Sequence, residues 1–276
     1  MLLAPGLAWL ALFFALPLGW MAYESLKEGS LEEGYTFAWK FSNYTNAVSD
    51  FSEQFVRSFH YAGLATLLAL LIGYPLAYVI AFRGGRWRNA LLLVVIVPFF
   101  VTYLIRTLSW QTILDDEGLV VNVLQFVGLV ADDGRLLATT ASVVAGITYN
   151  FLPFMILPLY ASLERIDHRM LEAAYDLYGR RRDAFLRVTL PLSMPGVVAG
   201  VLLTFIPAAG DFINAELLGT PRQYMIGNVI QSRYLEVADY PTAAALSFVL
   251  MASILVLVLT WARFAGTEAL MGAEAK

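Results

Sequence analysis

The residues able to do chemistry in this chain are few, and they sit in apolar surroundings. Asp211 closes one hydrophobic run and Arg106 lies in another, with Tyr103, Tyr149, Asn150 and Glu216 along the same stretches. A bare carboxylate in hydrocarbon is costly, so Asp211 must face a cavity or a partner. Two readings stay open. Asp211 can pair with Arg106, which neutralises both charges at similar depth. Alternatively, the carboxylate and the aromatic faces beside it can line a path for a cation. Covalent and metal chemistry have no candidates of comparable quality. The chain has no cysteine, which removes thiolate nucleophiles, thiolate zinc sites and disulfides. His60 and His168 are single and distant, and no His-Glu-x-x-His occurs. No G-x-x-x-x-G-K-[ST] phosphate loop is present, so the chain carries no nucleotide site of its own. It is read as something other than an enzyme, with no metal site and no cofactor.

The elements that must position these groups are membrane helices. Of 276 residues, 59% are hydrophobic and 14% charged, where a soluble domain has about half and about a quarter. That excludes a water-soluble enzyme. The net charge of −4 leaves no basic footprint for nucleic acid. Residues 2–25, 58–82, 89–110, 138–163, 194–214 and 243–264 are each long enough for the ~20 residues that cross a bilayer. The expected fold is therefore an all-α membrane protein of six transmembrane helices, one domain over residues 1–276. The first run lacks a basic leader and a small-residue cleavage site, so it is read as a retained helix. The apolar stretch 118–130 is too short to cross and is read as interfacial or re-entrant. Pro17, Pro75, Pro98, Pro153, Pro158 and Pro207 fall within spans, where each favours a kink.

Charge sets the expected orientation. Segments 83–88, 164–193 and 263–276 hold eleven of the eighteen basic residues against seven acids. The positive-inside bias puts these segments, and both termini, in the cytoplasm. The opposite face is acidic, with Glu32, Glu33, Asp115, Asp116, Glu117, Asp132 and Asp133.

The cytoplasmic loop 164–193 is the most informative segment. Asp167 can cap a helix whose apolar residues Met170, Leu171, Ala174, Leu177 and Tyr178 recur at helical spacing. Arg180-Arg181-Arg182 begins a second short helix, which Pro191 and Pro195 are expected to stop before the fifth span. Such an amphipathic elbow needs a partner to cover it. The run Glu172-Ala173-Ala174, then Gly179, then Leu190-Pro191 resembles the EAA loop of importer-type (MetI-like) ABC transporter permeases. Val188 takes the place of the usual Ile, while the usual glycine place holds Tyr178 and Gly179 follows it.

The resemblance implies a six-helix permease bundle that works beside a second, similar permease subunit, two ATPase subunits and an extracytoplasmic substrate-binding protein. ATP and Mg²⁺ would bind on the ATPase partners. The loop would dock on the ATPase, with Ala173 and Ala174 permitting close approach, Glu172 and Asp176 making charged contacts, and Gly179 giving the turn. Further segments are similar to the permeases of spermidine/putrescine importers: Leu104-Ile105-Arg106-Thr107, Gly118-Leu119, Gly210-Asp211-Phe212-Ile213, Glu216-Leu217-Leu218-Gly219 and Met225-Ile226-Gly227-Asn228. Permeases for thiamine, ferric iron or other small ions share parts of these motifs, and a self-contained carrier is the alternative outside the class. The resemblance implies an inner-membrane location and a polyamine solute. Acidic outer loops suit a polycation. Segments 26–57 and 215–241 are expected to meet the binding protein, and Trp9, Trp110 and Trp261 to sit in interfacial belts.

Overall fold

A computed structural model describes residues 3–128, 131, 134–178 and 180–265. In chain order it has α1 (Ala4–Ser25), an antiparallel hairpin of β1 (Lys27–Ser30) and β2 (Gly34–Phe37), α2 (Ser42–Asp50), α3 (Ser52–Arg83), α4 (Gly85–Phe100), α5 (Tyr103–Ile113) and α6 (Leu119–Phe126). Then follow α7 (Thr140–Glu164), α8 (His168–Tyr178), α9 (Arg181–Ala209), α10 (Ile213–Leu218), α11 (Ile226–Leu235) and α12 (Tyr240–Ala265). Helices α1, α3, α7, α9 and α12 are long and apolar enough to cross a membrane, and α4 with α5 passes the same test as a bent pair, which counts as a sixth span where the pair is one span.

Two spans differ from the sequence expectation. Residues 89–110 do not form one straight helix, because α4 and α5 meet at a bend of 95°. Pro98 lies in the tightened last turn of α4, and Val101 and Thr102 are extended at ψ 134° and 147°. The two sides together are still apolar enough to read as one span, so hydropathy alone does not show the break. The fifth span begins well before residue 194 and ends at Ala209, which leaves Asp211 outside the helix. Pro191 and Pro195 do not stop it. A wide π turn at Phe185–Thr189 precedes Leu190-Pro191 and makes room for the ring and the missing donor. The same device, a π turn at Ala11–Ala15, precedes Leu16-Pro17 in α1.

The centre of the bundle is α7 packed between α3 and α9. Ile147, Met155, Ile156 and Leu159 of α7 are fully buried, and Ala62, Ala65, Ala69 and Ala77 give α3 a small-residue face against them. Gly196 and Gly200 do the same for α9. A Cβ on Gly200 would stand 2.8 Å from the Met155 sulfur, and one on Gly196 2.5 Å from Ser162 Cβ. Lipid is as apolar as leucine, so close approach of small residues, rather than expulsion of water, holds such helices together. The outer faces of α1, α4 and α12 expose their large apolar side chains.

Candidate functional site

The polar residues of the spans gather at the end of the bundle away from α8, where α9 stops and α10 begins. Gly210 ends α9, and the chain turns at Asp211 into α10. Asp211 is only 7% exposed. Its Oδ1 accepts from the backbone N–H groups of Ile213 at 3.0 Å and Asn214 at 3.4 Å, so the carboxylate satisfies the first N–H groups of the new helix from the position before its N-cap, Phe212. Its Oδ2 accepts from the Tyr103 hydroxyl at 2.9 Å and from the Asn214 side-chain amide. The network then runs inward. Asn150 of α7 donates to Asn214 Oδ1 at 3.2 Å and to the Thr107 hydroxyl oxygen at 3.1 Å, and Thr107 donates to the Tyr103 carbonyl. Three separate elements, α5, α7 and the α9–α10 turn, are thus joined by one chain of hydrogen bonds. Gly146 makes the approach possible, since a Cβ there would lie 2.6 Å from Asn214 Oδ1 and 2.4 Å from Leu218 Cδ1.

Arg106 lies beside this network without forming the ion pair that was one of its two sequence readings. It is 8% exposed, and its guanidinium sits 5.4 Å from the Phe99 ring and 5.6 Å from the Tyr103 ring. Its Nε and Nη1 find no hydrogen-bond acceptor among the described residues. The reason is local. The head of α10 and the Tyr103 and Asn214 side chains already claim both oxygens of Asp211, so the guanidinium is left to the aromatic faces.

Of the six polar candidates, Tyr103, Arg106, Asn150 and Asp211 therefore come together, and two do not. Tyr149 is half-buried with its ring edge-on to Trp110 at 5.4 Å. Glu216 is exposed on α10 and lines a cleft of about 280 Å³ with Phe51, Tyr224, Asn228, Arg233 and Glu236. Sequence reasoning missed Thr107, Asn214 and Gly146. No local spacing marked Asn214, whose partners Asn150 and Tyr103 lie 64 and 111 residues away in the chain.

At the opposite end, Asp167 heads α8 as expected, accepting from the Arg169 N–H at 2.9 Å. Leu171 and Ala174 turn inward and are buried, whereas Glu172, Ala173, Tyr175 and Asp176 are exposed. The expected roles therefore divide: Ala173 lies on the free surface, but Ala174 packs against its own chain. Met170, expected on the apolar face, is also exposed. Gly179 lies outside the described residues. Leu190 is half-buried and Pro191 exposed at the start of the long straight part of α9. Phe185 sits edge-on to Tyr74 at 5.7 Å and to Tyr78 at 6.1 Å, and Tyr74 shares a 2.8 Å hydrogen bond with Ser193. This aromatic wedge joins α9 to α3. A cleft of about 620 Å³ opens between the end of α3 and α8, with Arg83, Glu172, Tyr175 and Arg181 in its wall.

On the far side, the Tyr35 hydroxyl of the hairpin donates to the Ala238 carbonyl at 2.7 Å and ties β2 to the α11–α12 turn. Loss of water around it, with Asp239 and Tyr240 near, raises this phenol above its usual range.

Residues 45–265 match the family described as the inner membrane component of binding-protein-dependent transport systems. The chain is 37% identical over 257 residues to the spermidine/putrescine transport system permease protein PotB of Haemophilus influenzae, covering 93% of this chain and 90% of that one. It is 35% identical over 243 residues to the Escherichia coli PotB, covering 88% of each. Among solved structures, a bacterial ABC transporter involved in import of the acidic polysaccharide alginate aligns with a TM-score of 0.69 at 21% identity, over 96% of this chain and 93% of that one. A second structure of an alginate transporter, in complex with a pentasaccharide-bound periplasmic protein, aligns at 0.67 and 21% identity, over 97% and 92% of the two chains.

Proposed function

The chain belongs to the inner membrane components of binding-protein-dependent transport systems, and from that premise we propose that it is a permease subunit of an ATP-driven importer of polyamines. The observation that carries the solute class is near-full-length identity of 35–37% to permeases of spermidine/putrescine systems. The chain works beside a second permease subunit, two ATPase subunits that hold ATP and Mg²⁺, and an extracytoplasmic binding protein. Its α8 end faces the cytoplasm, together with the start of α1 and the end of α12, and the hairpin and α11 face outward.

The geometry supports the following division of labour. The exposed face of α8, with Glu172, Ala173 and Asp176, docks on the ATPase. Buried Leu171 and Ala174 bind α8 to the bundle, so a displacement of the docked helix moves the spans as a body. The wedge of Phe185 between Tyr74 and Tyr78 carries that displacement to α3. At the outer end, Asp211 holds the α9–α10 turn in place through four hydrogen bonds rather than lying bare in the path. Glu216, on the exposed face of the helix whose first N–H groups Asp211 holds, is the carboxylate that meets the polycation.

The test is growth. Cells unable to make polyamines and stripped of their own uptake systems receive the chain with its partner subunits and either spermidine or putrescine in the medium. Growth with either polyamine is the expected result. Failure to grow, with uptake of thiamine or ferric iron by the same complex, overturns the polyamine assignment.

A further inference from the structure

We infer that Arg88, with Glu164 and Tyr160, is the clamp that makes the first half of the bent pair move with the coupling helix. The inference rests on the proposed docking of α8 on an ATPase. Arg88 lies in the first turn of α4. Its Nε donates to the Tyr160 hydroxyl, its Nη2 forms an ion pair with Glu164, and its guanidinium covers the Tyr160 ring at 5.1 Å. Glu164 is the last residue of α7, and only Arg165, Ile166 and Asp167 separate it from α8. Ile166 and Leu171 are both buried in the core around α7, so the start of α8 is fixed to the end of α7. A shift of α8 therefore reaches Glu164 first.

Packing carries that shift onward to α4 only weakly. Residues 88–96 contain no buried side chain. Leu92 and Val95 touch the core only partly, and Phe99 meets Phe154 edge-on at 5.0 Å at the far end. At the near end the polar clamp is the link. The α3–α4 turn reinforces it, because Gly84 leaves no room for a side chain: a Cβ there would lie 2.5 Å from the Ile80 carbonyl oxygen and 3.2 Å from Arg88 Cα. Arg88 thus ties the cytoplasmic ends of α3, α4 and α7 at the foot of the coupling helix. Arginine suits the task better than lysine, since its flat fork can bond two acceptors and stack on a ring at once.

The absence of cysteine makes the clamp directly measurable. Cysteines at Asn89 and Arg169, both exposed, carry spin labels in the assembled complex in lipid nanodiscs, with and without a non-hydrolysable ATP analogue and Mg²⁺. The expected result is one narrow 89–169 distance in both nucleotide states with Arg88 present, and a distance that broadens or changes with nucleotide in Arg88→Ala. In proteoliposomes, spermidine taken up per ATP hydrolysed falls about fivefold in Arg88→Ala and in Glu164→Ala, the factor equivalent to a partly exposed ion pair of about 1 kcal/mol. Arg88→Lys falls less, and the exchanged pair Arg88→Glu with Glu164→Arg recovers part of the loss. An unchanged narrow distance in Arg88→Ala overturns the clamp, as does an uptake loss that only follows loss of assembled complex. Failure of Glu172→Arg to release the ATPase overturns the docking reading instead, and the two failures are distinguishable because one is read from ATPase co-purification and the other from the 89–169 distance in Arg88→Ala.

Discussion

Replacing Asp211 by asparagine separates an internal tie from a pathway carboxylate. Asparagine keeps one acceptor oxygen for the Ile213 and Asn214 N–H groups, so the contact with the head of α10 survives. The other half of the side chain becomes a donor facing the Asn214 amide, which is also a donor, and the Tyr103 hydroxyl must turn round to accept. One charge-assisted hydrogen bond is lost, worth about 1.5–3 kcal/mol. The carboxylate beside the buried Arg106 charge disappears as well. We expect a total destabilisation of about 3 kcal/mol, and about 1.5 kcal/mol for Tyr103→Phe, which removes the same hydroxyl contact from the other side. Both variants alter the same Tyr103–Asp211 contact, so the double variant should fall short of additivity by about 1 kcal/mol. Equilibrium unfolding in mixed micelles, followed through the six tryptophans, reads all three variants. Uptake should decline in step with stability. If Asp211→Asn unfolds within about 0.5 kcal/mol of the parent, a shift expected for sites away from such features, while uptake is abolished, Asp211 is in the path and the reasoning fails. Strict additivity with Tyr103→Phe would refute it equally.

Other perturbations probe the remaining parts. Gly146→Ala drives a methyl into Leu218 and Asn214; it should cost about 2 kcal/mol by the same unfolding assay, and Leu218→Ala should relieve only part of that. Glu172→Arg should reduce co-purification of the ATPase while membrane insertion, read by fractionation, is unchanged. Phe185→Ala removes the wedge between Tyr74 and Tyr78 and should destabilise by about 2 kcal/mol, less than a fully buried phenylalanine would. Glu216→Gln should raise the half-saturating polyamine concentration about threefold by weakening attraction of the cation, with the unfolding midpoint unmoved.

The spans were legible because a bilayer demands long apolar runs, and four helices, α1, α3, α7 and α12, answer to them directly. Pro98 marked a kink in the third span, but not that the chain would break there by 95° into two helices. The start of α9 was hidden for a different reason. Arg181, Arg182 and Arg187 lower its hydropathy, and Pro191 reads as a stop unless the π turn before it is known. The two π turns each precede a Leu-Pro pair, Leu190-Pro191 and Leu16-Pro17. At the site, Tyr103, Arg106, Asn150 and Asp211 could be nominated as polar groups in apolar runs. Their partners could not be assigned, because they lie on three elements and over a hundred residues separate Tyr103 from Asp211. The local part of the answer is the acceptance by Asp211 Oδ1 of the Ile213 and Asn214 N–H groups at the head of α10.

Energy-coupled polyamine import is tested most directly in proteoliposomes holding this chain with its sister permease, ATPase and binding protein. Labelled spermidine is supplied outside with the binding protein, and ATP with Mg²⁺ is enclosed. The account predicts accumulation above the outside concentration that needs both enclosed ATP and the binding protein. Accumulation without either one, or none of spermidine or putrescine while another solute is pumped, would contradict it.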